Sequence, residues 1–233
     1  MTQRDAFLQA VTELTAAGTN GTKLCQPFVD GLPVIRAAIS TLGDPFGSET
    51  VCASDDEAAR LDELQLDLGE GPCWQALATR LPVLAPDAQN APDPAWPTLS
   101  LSIRDAGLRA VFAFPLIVGT MNVGAVDLYS DTVGPLTRSQ IDDAALLAAI
   151  AARHIVAGAL ERLSEPEPAS AFSRREVHQA TGMVLAQLGV SAADALLIIR
   201  AHAFAEGRTV REVAAAIVDR DLEFGDSSER NGT

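Results

Sequence analysis

Apolar and polar positions follow two different periods along this chain. Phe7, Ala10, Val11 and Leu14 recur at spacings of three and four, which predicts a helix over residues 3–17. A short helical patch is expected around 24–29. Residues 34–42 and 49–53 flank the turn Gly43-Asp44-Pro45-Phe46-Gly47 and read as a strand hairpin, although Val34, Ala38 and Leu42 alternate imperfectly. Ser54 with Glu57 fits the cap of an acidic helix reaching Leu66. Gly69-Glu70-Gly71-Pro72 breaks the chain, and Pro72 suits the first turn of a helix running to Arg80. Residues 81–84 form a short strand. Four prolines between 85 and 97 predict an irregular loop, and a helix follows at about 99–106. Two strongly apolar runs, 109–118 and 121–129, meet at Gly119-Thr120 and read as central strands. Thr137 with Gln140 caps a long alanine-rich helix that ends near 163.

The pattern then changes. Ser173 with Glu176, Ser191 with Asp194, and Thr209 with Glu212 each fit a hydroxyl cap followed three residues on by an acid. Gly189 and Gly207 stand where the first two of these helices should stop. In the first helix Val177, Ala180, Val184, Leu185 and Leu188 form one stripe; in the third, Val210, Val213, Ala214, Ile217 and Val218 do. The middle helix is apolar nearly all round, so it is expected to be sandwiched.

The order helix, hairpin, helices, hairpin, helix predicts an α+β domain with an antiparallel sheet flanked by helices, followed by an all-α three-helix bundle. The expected boundaries are 1–163 for the first domain, 164–172 for a linker stiffened by Pro166 and Pro168, 173–224 for the bundle, and 225–233 for a tail.

Charge bears on what the bundle can bind. The net charge is −14, which argues against a general nucleic-acid binder. Its distribution changes the picture: residues 1–169 carry 10 basic against 22 acidic side chains, whereas 170–225 carry 6 against 7. Binding by the bundle therefore rests on specific contacts rather than bulk charge. Cys25, Cys52 and Cys73 are widely spaced without a C-x-x-C pair and read as reduced thiols in a cytoplasmic protein. No signal peptide and no uninterrupted apolar stretch of membrane-spanning length is evident, so no membrane partner is expected.

Two resemblances follow from particular residues. Gln179-Ala180-Thr181-Gly182-Met183, Leu188-Gly189-Val190-Ser191 with Asp194-Ala195, Arg200-Ala201-His202-Ala203, and Arg211 with Val213-Ala214 make 173–224 resemble the ANTAR domain, the RNA-binding module of bacterial antiterminators. Many members of that family carry lysine where this chain has Thr181, so a phosphate contact is either missing here or supplied by an arginine. Leu68-Gly69-Glu70-Gly71-Pro72-Cys73, Pro82-Val83-Leu84, Trp96-Pro97, Ala113-Phe114-Pro115-Leu116 and Gly124-Ala125-Val126-Asp127-Leu128-Tyr129 make about 20–160 resemble the GAF domain, a sensory and dimerising module. The pairing is that of bacterial, especially actinobacterial, regulators.

What the resemblance implies is a signal-responsive transcription antitermination regulator. The GAF-like domain takes a small-molecule or protein signal, or dimerises. The bundle grips structured stem-loop RNA through Gln179, Thr181, Gly182, Met183, Arg200, His202, Arg208 and Arg211. Alanines at 144, 145, 148, 151 and 152 favour close helix packing and a homodimer. No cofactor, no metal site and no catalytic residue is expected. The sequence shows no phosphate loop and no nucleophile elbow, and His178 and His202 have no third ligand.

Bland readings stand beside these. Cys52 and Cys73 are expected to be buried structural thiols, Trp74 and Trp96 core residues, and His154 a surface or dimer-contact side chain. Arg208 and Arg211 can be ordinary solvated residues, and Thr181 and Gly182 can serve close helix packing. Asp142-Asp143 reads as solvated surface. Asp127, within an apolar strand, either bonds locally at a sheet edge or points into a ligand pocket. Two rival functions remain: a DNA-binding helix-turn-helix-like regulator, and a thiol-dependent reductase on a GAF scaffold.

Overall fold

An antiparallel sheet organises the first part of the chain. The computed structural model describes residues 2–19, 21–43, 45–164 and 174–224. The chain divides into two compact units, 1–168 and 169–233. In the first, five strands take the order β2-β1-β5-β4-β3, all neighbours antiparallel: β1 Arg36–Thr41, β2 Glu49–Ala53, β3 Val83–Ala85, β4 Ala110–Val118 and β5 Met121–Ser130. The hairpin β4–β5 turns at Gly119-Thr120, as the apolar runs predict. β5 lies in the centre of the sheet, paired along its length with β1 and β4.

Helices cover both faces. α1 (Gln3–Ala16), α2 (Gln26–Gly31) and α6 (Arg138–Ser164) bury Phe7, Leu14, Phe28, Leu147 and Ala151 against Ile39, Phe112, Phe114, Val126 and Leu128. α3 (Asp56–Leu68), α4 (Pro72–Thr79) and α5 (Pro97–Asp105) lie on the side of the intervening strand positions, with Leu61, Trp96 and Leu99 beside Ala38, Val111 and Tyr129. This double cover explains the imperfect alternation in β1. A strand buried on both faces has no solvent side to mark with polar residues, and all of β1 beyond Arg36 is buried.

Local signals hold at several ends. Thr137 and Gln140 exchange backbone–side-chain bonds of 2.8 and 3.3 Å ahead of α6. The cap of α3 differs from expectation: Asp55, not Ser54, accepts the Ala58 N–H at 2.8 Å. Ser54 is drawn instead to the neighbouring strand, where its Oγ accepts from Ala37 N at 3.0 Å, and Glu57 pairs with Arg60. The expectation of three reduced thiols is also corrected. Cys25, just before α2, and Cys52, on β2, form a disulfide, because the sheet brings an edge strand to the start of α2. Cys73 remains a free, buried thiol.

The second unit packs α7 (Arg175–Leu188), α8 (Ala192–Glu206) and α9 (Val210–Val218) around Val177, Ala180, Val184, Ala195, Ile199, Val213 and Ile217. Gly189 and Gly207 end α7 and α8 in the left-handed conformation. Thr209 and Glu212 form a reciprocal capping box; Ser191 caps α8 through the Asp194 N–H. Ser173 and the expected linker beyond Ser164, like the tail 225–233, lie outside the described residues. The middle helix is not sandwiched within its unit. α8 buries Ala195, Ile199 and Ala203, while Leu197 and Phe204 stand 63% and 74% exposed. Three short helices offer only one shared interior, so the opposite face of an all-apolar helix is left outside.

Candidate nucleic-acid interface

The eight residues singled out in the bundle fall into two groups. Four lie on one turn of α7. Gln179 and Gly182 are exposed and three residues apart, hence on one face. Thr181 is half-buried and its hydroxyl donates to Val177 O at 2.7 Å. Met183 is half-buried against the bundle core. A Cβ at Gly182 would meet nothing within 4 Å, so close packing inside this unit does not account for the glycine. An exposed helix-interior glycine costs about 1 kcal/mol relative to alanine, and the bundle recovers none of that cost through packing.

The other four surround the turn between α8 and α9. Arg200 and His202 are half-buried near the end of α8. His202 Nε2 lies 3.2 Å from Glu206 Oε1, and its ring meets Phe224 edge-on with centroids 5.3 Å apart. This histidine therefore has packing duties at the base of the bundle. Arg208 is held in place: Nη2 donates to Glu212 O at 2.9 Å and Nη1 to Glu206 Oε2 at 3.2 Å. Arg211 is half-buried on the first turn of α9. Sequence periodicity did not single out Phe204, exposed on the same stretch as Arg200 and Arg208. In an all-apolar helix nothing distinguishes the residue left outside.

The sheet unit holds a second polar constellation, buried between β1, β2 and β5 and helices α3 and α4. Asp127 is no edge residue; it is 1% exposed on the central strand, between Ala38 and Ala113 on the neighbouring strands. Gln65 Nε2 donates to Asp127 Oδ2 at 2.6 Å and to Tyr129 Oη at 3.3 Å, while Gln65 Oε1 accepts from Cys73 N at 3.3 Å. Asp62, also fully buried, accepts from the Ser40 and Thr50 hydroxyls. Asp127 Oδ1 has no hydrogen-bond partner. Burial pushes the Asp127 carboxyl well above the usual carboxylate range, and the nearby Asp62 adds to this against the pull of Gln65. Burial, then Asp127 and Asp62, likewise raise the Cys73 thiol and the Tyr129 phenol.

The remaining sequence candidates are placed as follows. Trp96 fills the core, and Trp74 is half-buried with its indole N–H on Gln65 O at 2.9 Å. Asp142 pairs with Arg138 and Asp143 with Arg4, on different sides of α6. His154 is half-buried and His178 exposed. Among the described residues no three His, Cys, Asp or Glu side chains converge as metal ligands. By length and composition α6 could cross a membrane, but its inner stripe, Ala144, Leu147, Ala148, Ala151 and Ile155, is part of the sheet unit's core.

Comparison with known proteins identifies both units. A family model described as GAF domain matches residues 23–156, and one described as ANTAR domain matches residues 170–218. No curated protein sequence matches the chain. Among solved structures it is similar to the GAF domain of a phosphoenolpyruvate-protein phosphotransferase from Coxiella burnetii, with 14% identity and a TM-score of 0.55 over 69% of this chain and 96% of that one. It is also similar to the GAF domain of an Acinetobacter phosphoenolpyruvate-protein phosphotransferase, with 11% identity and a TM-score of 0.52 over 72% and 99%. At such identities the likeness concerns the fold alone. The GAF match alone spans more than half of the sequence, and the chain belongs to the GAF family, in the form where an ANTAR domain follows the GAF domain.

Proposed function

We propose that this regulator binds stem-loop RNA in a nascent transcript through its ANTAR domain and so prevents a terminator from forming. The observation that carries the reading is the ANTAR match over a bundle whose outward residues include Gln179 and Gly182 on α7 and a fixed Arg208 at the α8–α9 turn. RNA loops present unstacked bases and backbone rather than a readable major groove, which suits a near-neutral surface with a few placed guanidinium groups. The bundle boundaries 173–224 and a GAF unit ending at 163 belong to the same proposal.

The GAF unit is the input. It responds to a small-molecule or protein signal, or holds two copies together. A homodimer formed along α6 has the exposed Leu146 and Leu160 to use, since Ala144, Ala148, Ala151 and Ala152 are already buried in the core. Work on a nascent transcript puts the protein in the cytoplasm; the paired Cys25 and Cys52 remove the cysteine argument for that compartment. Geometry does not favour a thiol reductase, because the free thiol, Cys73, is buried and held protonated by its surroundings.

The test is a titration of the full chain against stem-loop RNA from its own operon leader and duplex DNA of the same sequence, at two salt concentrations. Preferential RNA binding that weakens on Arg208→Ala supports the reading. Equal affinity for both nucleic acids overturns it in favour of a DNA-binding regulator.

A further inference from the structure

Among the described Phe, Tyr and Trp side chains, Phe204 is the exposed one; the others are buried or half-buried. It sits near the end of α8, where Ala193, Leu197, Ala201 and Phe204 recur at spacings of four, four and three and all face outward. The bundle core does not need it, since α8 already contributes Ala195, Ile199 and Ala203. Arg200 lies one helical turn before it. Arg208 follows one residue after the left-handed Gly207, its guanidinium fixed by the Glu212 carbonyl and the Glu206 carboxylate.

We propose that Phe204 is the platform on which an unpaired base of the RNA loop stacks, with Arg208 set beside it for a flanking phosphate. The inference rests on the RNA-binding reading above and deepens it by naming the surface. A loop nucleotide offers the flat apolar face of its base and the negative charge of its phosphate. That combination matches an exposed ring with an arginine a turn away on either side in sequence. A second copy of the chain matches less well. A two-fold contact centred on Phe204 sets arginines of one copy against the same arginines of the other. The acids nearby are already engaged, Glu206 with His202 and Arg208, and Glu212 with the cap of α9.

The experiment uses the full-length chain and the operon-leader stem-loop. Phe204→Ala weakens RNA binding by roughly 5- to 150-fold, the range found when one stacked base loses its aromatic partner. Its salt dependence stays unchanged, because no phosphate contact is lost, whereas Arg208→Ala makes the dependence shallower. Phe204→Trp restores binding and its added fluorescence is quenched by the stem-loop. Phe204→Leu, apolar but without a π-face, stays close to the alanine variant. The side chain is exposed, so thermal melting of Phe204→Ala matches the parent. If the parent chain binds the stem-loop and Phe204→Ala binds it equally well, the assignment falls while the RNA reading stands. If Phe204→Ala instead lowers the sedimentation mass and leaves RNA binding intact, the ring belongs to an interface between copies, and the assignment falls. If the parent chain binds no stem-loop, the RNA reading itself falls and takes this surface with it.

Discussion

The two units misplace residues in opposite directions. The GAF unit buries acidic side chains: Asp62 and Asp127 are 0% and 1% exposed, with Ser40, Thr50 and Gln65 among their bonded partners. The ANTAR unit exposes grease: Leu197 and Phe204 stand out from a helix whose other side is core. The first oddity is satisfied from within, by Gln65, Ser40 and Thr50, apart from one carboxylate oxygen. The second is satisfied by nothing inside its own unit. A buried polar cluster reports on how a domain is held together, while an exposed aromatic reports on what it touches.

Reduction separates the units most strongly. The bundle contains no cysteine, whereas Cys25–Cys52 closes a loop across 27 positions of the GAF unit. Breaking it by Cys52→Ser is expected to destabilise that unit by about 3–4 kcal/mol from chain entropy. Differential scanning calorimetry with and without dithiothreitol checks this; an equal shift in both transitions would contradict the contrast.

Replacing Gln65 by Leu probes the buried cluster directly. Asp127 then loses its amide donor and Cys73 N its acceptor, at a cost of about 2–3 kcal/mol in urea unfolding of the GAF unit. No change in the midpoint would mean that water can reach these groups.

Asp127→Asn acts in the opposite direction. The folded protein holds this carboxyl protonated above its ordinary value of 3.8, so the unfolded chain releases the proton first. Its contribution to stability is complete below pH 3.8 and is lost as pH rises toward the folded value. The asparagine variant removes that loss. It is expected to be more stable than the parent at neutral pH, with a flatter pH profile. A variant with the parent's pH slope would show that Asp127 is ionised in the fold.

The smallest effect belongs to the bundle. Gly182→Ala meets no steric obstacle and gains about 1 kcal/mol of helix stability. If the open space above Gly182 is where RNA approaches the backbone, the same change weakens stem-loop binding. A bundle both more stable and equally active assigns Gly182 no part in recognition.

Element order was largely legible because its signals are local. Thr137 and Gln140 at α6, Thr209 and Glu212 at α9, and the stops at Gly189 and Gly207 all act within one helical turn. The cap of α3 misled for a reason of the same kind turned outward: Ser54 is claimed by Ala37, a residue distant in sequence but adjacent in the sheet. Of the eight candidate RNA contacts, the exposed pair on α7 could be inferred from the apolar stripe. The packing of His202 against Phe224 and the anchoring of Arg208 on Glu212 could not.

By itself, then, the sequence determined which segments are helix or strand and the two families that its motifs resemble. Each of these depends on residues within a few positions of one another. Tertiary structure decided that Cys25 meets Cys52, that Asp127 is interior rather than at an edge, and that Phe204 is outside. Those outcomes depend on strand order and on which helix face a neighbour covers, and residues far apart in the chain set both.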